Sequence, residues 1–245
     1  MIDYILNRTI EEHTKEATFR YLQSLHQINL EENVENLTNI NGGFVSRFEY
    51  FMPWLDNTSK ESLLISGCAV GSEMIVAKKY GFKEVYGTEV TKEYVKIAKE
   101  RLNSDRSLHV DYYNGKKLPY KNNSFSMICS GHIIEHTSSP IYYIKEHMRV
   151  LKRGGIFFIE FPDRYHGIEL HTGLKSYESL PCIFRYFVLK YLAQNIKGYK
   201  DILEGLKPVS IWQIKCYCLI TLNIFKILDI QKPAPGYIRM IIKKL

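Results

Sequence analysis

The middle of the chain alternates short apolar runs with longer amphipathic stretches. Apolar runs of this length are typical of strands buried on both faces, and the amphipathic stretches are typical of helices that cover them. The predicted strands are Leu63–Ser66, Val85–Thr88, Ser107–Tyr113, Ser126–Ser130 and Ile156–Phe161, and the predicted helices are Ser72–Tyr80, Thr91–Leu102 and a third from Ser139 onward. Because strand and helix alternate, the pattern predicts an α/β fold with a doubly wound, mostly parallel sheet.

The third of these helices has a clear start. Ser139 is a favoured N-cap residue, and Pro140 suits the first helical position. We expect its apolar stripe to be buried and a glycine pair to end it: the stripe is Ile141, Ile144, Met148 and Leu151, and the pair is Gly154 and Gly155.

The two ends of the chain depart from the alternation. Residues 1–58 carry apolar residues at helical spacing and predict a helical N-terminal cap, which leaves residues 59–245 for the main domain. Within that domain, residues 163–210 lose the rhythm and are interpreted as an insertion. Asn223–Ile230 and Tyr237–Lys243 flank a Pro-Ala-Pro-Gly turn and predict an antiparallel C-terminal hairpin, which brings the sheet to seven strands.

Charge adds to this picture more than composition does. With 245 residues and 45% apolar positions, the chain is too apolar for a disordered protein and fits one globular domain with additions. The net charge is +7, and residues 1–58 hold four basic and nine acidic side chains, so the rest of the chain carries +12. A basic main body favours an anionic partner, but its Lys and Arg are scattered, so nucleic acid is weakly supported.

Cysteine usage and hydropathy favour a cytoplasmic protein. The five cysteines form an odd count without a C-x-x-C pair, which is typical of reduced thiols rather than of a disulfide or zinc framework. The first residues lack the basic and apolar regions of a secretory signal. The longest apolar tract, Cys216–Ile230, is interrupted by polar residues and is too short to span a bilayer.

The strongest chemical signal is the sequence SGCAVGSE at residues 66–73, between the first predicted strand and the first predicted helix. Glycines at such a turn let the backbone approach a ligand and leave amide donors at the helix start. Glu89, 18 residues beyond Gly71, ends the second strand, where a carboxylate can accept hydrogen bonds from both ribose hydroxyls of a nucleoside. Together they predict a nucleoside cofactor, whereas the turn alone also fits a purely structural connection.

Glycine spacing distinguishes between two classes of cofactor. A pyrophosphate-binding G-x-G-x-x-G motif that starts at Gly67 would need glycines where Ala69 and Ser72 stand. The chain instead has G-x-x-x-G, formed by Gly67 and Gly71. A cofactor without a pyrophosphate therefore fits better than a dinucleotide.

At this point four ordered segments carry a family resemblance. They are LLISGCAVGSE, VYGTEV, YYNGKKLPYKNNSFSMICSGHIIEH and EHMRVLKRGGIFFIEFP. Over roughly residues 60–162 the chain resembles the class I S-adenosylmethionine-dependent methyltransferases. The resemblance implies a Rossmann-like methyltransferase sheet, S-adenosylmethionine as donor, S-adenosylhomocysteine as product, and residues 163–210 as a lid on the acceptor side.

The resemblance also implies roles for individual residues. Those expected at the donor are Gly67, Cys68 and Gly71 at its methionine part, Glu89 and the following Val90 at its ribose, Asn114 and Gly115 at its adenine, and Gly131 beside the methyl-transfer centre. The chain departs from the family at Ile65, Ala69, Asn114 and Ser126, where it usually has an acidic residue, Gly, Asp and Asp. Ile65 cannot position the donor's ammonium group, so either a nearby Glu such as Glu73 compensates or donor affinity is reduced.

Histidines are the candidate bases, because histidine titrates near neutral pH and a hydroxyl acceptor must lose a proton. The preferred candidate is His132, followed by His171 and then His136, which with Glu135 could equally only orient the loop. Related O-methyltransferases of quinone biosynthesis hold a divalent metal with two Glu and a His at this place. Here the first position is His132, which argues against a metal.

The acceptor is predicted from weaker signals. Histidines at the site, and the absence of the Asn/Asp-Pro-Pro-Tyr/Phe signature of amino-group methylation, favour O-methylation. Lys, Arg and Tyr interleave in residues 163–210, which suits a small polar metabolite or a glycan, anionic in character. The aromatic helix predicted at Ile183–Leu192 fits either core packing or contact with a membrane surface. Two other classes stay open: a binding module without catalysis, and an NAD-type oxidoreductase.

Overall fold

The computed structural model describes residues 2–27, 29–56, 58–163, 184, 209–220, 224–234 and 236–245. Within these ranges the helices are α1 (Ile2–Ser24), α2 (Leu30–Thr38), α3 (Gly43–Phe51), α4 (Ser72–Lys79), α5 (Lys92–Leu102), α6 (Pro140–Val150) and α7 (Ile211–Ile220). The strands are β1 (Ser62–Ser66), β2 (Glu84–Glu89), β3 (Leu108–Tyr112), β4 (Phe125–Gly131), β5 (Leu151–Pro162), β6 (Phe225–Gln231) and β7 (Tyr237–Lys244). Short 3₁₀ helices occupy Met52–Trp54, Thr58–Lys60 and Ile134–His136.

The described strands form one seven-stranded sheet in the order β3-β2-β1-β4-β5-β7-β6. β1 pairs with β2, and β2 with β3, in parallel, whereas β7 pairs with both β5 and β6 in antiparallel. The predicted α/β class and the antiparallel C-terminal hairpin are therefore confirmed. The chain divides into two compact units, residues 1–129 and 130–245.

In the first unit, the register of the parallel strands prepares the site. Leu63, Leu64 and Ile65 of β1 are fully buried, as a strand covered on both faces requires. Ser66 pairs with Thr88, so β1 and β2 end at nearly the same level. The turn after β1 consequently follows directly beside Glu89, the last residue of β2. Helices α1 to α3 lie in this unit; their role as a separate cap stays a prediction.

In the second unit, α6 begins as predicted but ends differently. Ser139 accepts a hydrogen bond from the Tyr142 amide at 3.3 Å, and Pro140 is the first helical residue. The helix ends at Val150, so Leu151 starts β5 and the pair Gly154–Gly155 lies inside that strand rather than ending the helix.

The buried face of α6 is also rotated from the predicted one. Ile144 and Met148 are buried, but Ile141 is 53% exposed, so its assignment to the buried stripe was wrong. The face is centred on Tyr143 and His147, and Ile141 lies more than a third of a turn from that centre. Tyr143 is buried because its hydroxyl bonds the Ser130 hydroxyl at 2.7 Å, and the His147 Nδ1–H donates to the Tyr143 carbonyl at 2.7 Å.

No helix in the described ranges combines the length and the apolar character that crossing a membrane would require.

Candidate active site

The turn after β1 is tied to the end of β2. The amides of Gly67 and Cys68 both donate to the Thr88 carbonyl, at 2.8 and 3.0 Å. Gly67, Ala69 and Gly71 adopt left-handed backbone conformations, with φ of 76°, 44° and 86°. The left-handed conformation is unfavourable for Ala69 by about 1–2 kcal/mol, because its Cβ lies too close to the backbone. The turn therefore keeps the shape that a glycine would favour at position 69.

Two glycines keep the turn in close contact with its surroundings. A Cβ at Gly71 would lie 2.7 Å from Leu102 Cδ1. A Cβ at Gly87, on β2, would lie 2.6 Å from Met74 Sδ and 2.7 Å from Cys68 Sγ. The Cys68 thiol is buried in this contact, and burial raises its pKa, so it packs as a neutral group. Gly87 was not predicted as a site residue. A side chain is excluded there by Cys68, which lies 19 positions away in the sequence.

Glu89 holds the turn from the other side. One carboxylate oxygen, Oε2, accepts from the Ala69 amide at 3.1 Å, and the other accepts from the amides of Val90 and Thr91 at 2.7 and 2.9 Å. The side chain is 7% exposed. A carboxylate can accept about four hydrogen bonds. The three hydrogen bonds from backbone amides therefore leave one acceptor position for a hydroxyl. The Glu89 carboxylate thus lies at the turn, where it bonds the amide two positions after Gly67; its binding of a ribose stays a prediction.

An open apolar surface lies next to Glu89. Val90 is 52% exposed, and a Cβ built on Gly115 would lie 4.0 Å from Val90 Cγ1. Gly115 adopts a φ of 75°, and the Asn114 Oδ1 accepts from the Lys116 amide at 3.1 Å. Val90 and Gly115 therefore lie side by side, and Asn114 retains an acceptor position; their contact with an adenine stays a prediction.

A buried arginine that sequence reasoning missed supports the turn. The Arg101 Nη1 donates to the Val70 carbonyl at 3.2 Å and to the Ser72 hydroxyl at 2.6 Å. Its other donors reach the Glu11 carboxylate, at 3.1 and 2.6 Å, and the Thr38 carbonyl at 2.8 Å. All of the donors in these contacts come from one planar guanidinium, so the turn, α1 and α2 are held by one group.

Glu73, the predicted substitute for a carboxylate at Ile65, is 5% exposed and already engaged. Its Oε1 lies 3.4 Å from Arg47 Nη1 and 3.3 Å from the Cys129 sulfur. The cation nearest to Glu73 is thus Arg47, so Glu73 has a protein partner for its charge. Its compensating role toward the donor stays a prediction.

In the second unit, His132 is held between two carboxylates. Its Nε2 lies 2.9 Å from Glu160 Oε1, and its Nδ1 lies 3.6 Å from Glu135 Oε1. The His132 amide also donates to the Glu160 carbonyl at 2.8 Å, and the Tyr237 ring meets the imidazole edge to face at 5.0 Å. Glu160 in turn accepts from Arg239 Nε. The imidazole is therefore fixed by a carboxylate that is itself fixed by an arginine.

The two carboxylates differ in their partners. Glu160 is 4% exposed and bonded to both His132 and Arg239. Glu135 is 2% exposed, and neither of its oxygens has a hydrogen-bond partner within the described ranges. Buried carboxylates are normally paired, so this one needs an explanation.

The remaining predicted site residues differ in exposure, and some lie outside the described residues. Gly131 is the last residue of β4 and is half-buried, and His136 ends the 3₁₀ helix and is exposed. His171 lies outside the described residues, as do the predicted aromatic helix, apart from Phe184, and nearly all of the predicted lid. In the part of the chain that the structure describes, no group of three or more His, Cys, Asp and Glu side chains is arranged to hold a metal ion.

Comparison with known proteins finds a methyltransferase domain and relatives that include methyltransferases. The methyltransferase domain family matches residues 64–159. An uncharacterised protein of Methanocaldococcus jannaschii is 31% identical over 62% of this chain and 65% of its own length. The ubiquinone/menaquinone biosynthesis C-methyltransferase UbiE of Neisseria meningitidis serogroup A is 28% identical over 51% of this chain and 54% of its own length. The chain thus spans less than two thirds of these relatives.

The fold comparison agrees with the sequence comparison. The crystal structure of a SAM-dependent methyltransferase from Aquifex aeolicus superposes with a TM-score of 0.59 and 15% identity, covering 86% of this chain and 98% of that one. Identity at this level shows the fold alone. Residues 64–159 thus match a methyltransferase domain, and the chain has the fold of a SAM-dependent methyltransferase.

Proposed function

We propose that the protein transfers a methyl group from S-adenosylmethionine to a hydroxyl of a small polar metabolite or glycan. The observation that carries the proposal is Glu89, which faces the glycine-containing turn and retains acceptor capacity. The match of residues 64–159 to a methyltransferase domain supports the donor, and the imidazole of His132 supports a hydroxyl acceptor. The acceptor class goes beyond what the relatives' names state.

The donor-side residues fit an adenosyl group with a methionine tail. Glu89 would accept from one ribose hydroxyl at its remaining acceptor position, Val90 would lie beside the ribose, and Gly115 would border the adenine. Gly67, Cys68 and Gly71 would line the methionine part, where the two glycines have a left-handed backbone and no Cβ to hold a ligand away. When bound, the donor supplies a methyl group on a positively charged sulfur, so alignment and exclusion of water are most of what the protein must add.

His132 is the proposed base. Glu160 bonds Nε2 and thereby orients the ring, the arrangement in which a histidine accepts a proton at its other nitrogen. The acceptor oxygen would gain the methyl carbon, the sulfur would keep the electron pair of the broken bond, and the hydroxyl proton would pass to His132. His136 and His171 are the alternative bases from the sequence.

C-methylation is the second candidate, because relatives at 28% identity are named as C-methyltransferases. A phenol or enol that loses its hydroxyl proton becomes nucleophilic at carbon as well as at oxygen, so the same base would serve both reactions. Mass spectrometry of the product separates them: an O-methyl group is lost on demethylation by hydriodic acid, and a C-methyl group is retained.

The test has two steps. First, S-adenosylhomocysteine and NAD are each titrated into the protein by calorimetry; binding of the former alone supports the proposal, and binding of NAD alone contradicts it. Second, radiolabelled S-adenosylmethionine is supplied with phenols, quinols and sugars, and His132→Gln is compared with His13→Gln, an exposed histidine on α1. We expect loss of turnover in the first variant only; full activity of His132→Gln would refute the base assignment. Donor binding without transfer to any probe would favour the non-catalytic binding module.

A further inference from the structure

We propose that Glu135 is a positioning residue that stabilises His132 in its protonated form during the reaction. This inference rests on the proposed function, in which His132 receives the acceptor's proton. The fold alone does not explain why a carboxylate is buried at position 135, since its oxygens have no hydrogen-bond partner within the described ranges.

Burial makes the isolation of Glu135 significant. Its side chain is 3% exposed, so water does not replace the missing hydrogen bonds. A carboxylate removed from water without a partner is costly, and such groups persist where function requires them. The cation-forming group nearest to it in the described contacts is His132, whose Nδ1 lies 3.6 Å from Glu135 Oε1.

The charges around His132 are complementary to a proton on its ring. The titratable and charged side chains that the described contacts place around the imidazole are Glu135 from the 3₁₀ helix, Glu160 from β5, and Arg239 and Tyr237 from β7. Arg239 neutralises one of the two carboxylates. Among the described contacts, a neutral imidazole leaves the Glu135 carboxylate without a counter-charge, and protonation of His132 supplies one.

The local backbone keeps the two groups together. His132 has a φ of 57°, a left-handed conformation that is rare outside glycine and costs about 1 kcal/mol or more. The 3₁₀ helix that follows places Glu135 three residues on, on the same side as the imidazole. The strained turn therefore presents both ring nitrogens to carboxylates at once.

The proton balance fits this arrangement. The acceptor's O–H bond breaks as the bond from its oxygen to the methyl carbon forms, and the proton adds to the imidazole. A positive charge disappears from the sulfur while one appears on His132. Glu135 then faces an imidazolium, and release of that proton to water restores the starting state.

Histidine titration by NMR tests the proposal without an acceptor. The C2–H signal of His132 is identified in the full chain by its loss in His132→Gln, and its titration midpoint is compared between the wild type and Glu135→Gln. We expect the proton affinity to fall by about tenfold or more in Glu135→Gln, because an opposite charge at this distance favours the charged form. Glu135→Asp retains the charge and should recover part of the loss. An unchanged midpoint in Glu135→Gln would overturn the proposal.

Thermal unfolding provides an independent readout. If Glu135 were a structural residue, Glu135→Gln would lower the unfolding temperature. We expect the opposite, because a neutral amide is less costly to bury than an unpaired carboxylate. The matched control is Glu146→Gln, a buried carboxylate of the same unit that bonds Arg149 at 2.6 and 2.9 Å. That control should lose stability and leave the His132 titration unchanged; a loss of stability in Glu135→Gln would count against the proposal.

The two proposals fail in different ways. If His132→Gln keeps full transferase activity while Glu135→Gln still lowers the proton affinity of His132, the base assignment is wrong and the electrostatic pairing stands. If His132→Gln is inactive while Glu135→Gln has the wild-type titration and the wild-type pH dependence of kcat, the role of Glu135 is wrong and the base stands.

Discussion

The buried charged groups around the turn after β1, in the first unit, and the buried carboxylate of Glu135, in the second unit, differ in their hydrogen bonding. Around the turn after β1, the guanidinium of Arg101 makes five hydrogen bonds and the carboxylate of Glu89 accepts three. Beside His132, the carboxylate of Glu135 has no hydrogen-bond partner within the described ranges. The charged groups at the turn thus have hydrogen-bond partners in the folded chain, whereas, on our proposal, Glu135 gains a charged partner when His132 takes up a proton.

The difference separates two tasks. A donor-binding turn benefits from rigidity, because a preformed site loses less entropy when a ligand binds. A proton-accepting group benefits from an environment that favours its charged form. The charged side chains that hold the turn are therefore paired, whereas a buried carboxylate lacks a hydrogen-bond partner within the described ranges at the place where, on our proposal, charge must change.

The largest expected effect comes from removing one of the paired charged groups at the turn. Arg101→Met preserves most of the side-chain volume but leaves the Val70 and Thr38 carbonyls and the Glu11 carboxylate without their donor. We expect the free energy of unfolding to fall by about 3–5 kcal/mol, since removing one partner of a buried network strands the others. Urea unfolding measures it.

Arg106→Met is the matched control, because Arg106 is exposed and only five positions away. It should change stability by less than about 0.5 kcal/mol. Equal losses in the two variants would show that the Arg101 contacts do not stabilise the turn.

A second histidine of the same unit sharpens the contrast with His132. His147 is buried against Tyr143 and Phe157, and burial lowers its pKa to about 4 from its ordinary 6.5. Between those values the unfolded chain binds the proton and the folded chain does not. The folded state should therefore lose stability as pH falls from about 6.5 to about 4, by about 2–3 kcal/mol for this group.

His147→Phe removes this titration while keeping a ring of similar size. The difference in unfolding free energy between pH 7 and pH 4.5 should become smaller by about 2 kcal/mol in the variant. A pH dependence identical to that of the wild type would show that His147 is not buried in its neutral form.

The smallest effect concerns strain within the turn itself. Ala69 has a φ of 44°, which glycine adopts without a Cβ clash. Ala69→Gly should raise the free energy of unfolding by about 0.5–1 kcal/mol and should strengthen binding of S-adenosylhomocysteine. A loss of stability would mean that the extra freedom of the unfolded glycine outweighs the strain.

The strands, the turn and the position of Glu89 could be predicted because each depends on local pattern. Apolar runs mark the strands, and the carboxyl ends of parallel strands meet at one edge, so Glu89 had to lie near the turn. The buried face of α6 was harder, because Tyr143 and His147 have polar atoms and are buried only through specific hydrogen bonds.

Long-range polar contacts were not predictable in the same way. Glu11 and Arg101 are 90 positions apart, and no periodicity links them. A signal was nevertheless present: Arg101 falls three and four positions after Ala98 and Ile97, on the apolar side of α5. Glu160 is similarly a charge inside the apolar run of β5, where charges are rare unless they are paired.

Calorimetric titration of S-adenosylhomocysteine into the wild type and into Glu89→Gln tests the central claim most directly. A glutamine keeps one acceptor oxygen and loses the charge, so we expect affinity to fall by about thirtyfold, or about 2 kcal/mol. Glu84→Gln, an exposed position on the same strand, should bind like the wild type. Wild-type affinity in Glu89→Gln, or no binding to the wild-type protein, would contradict the account.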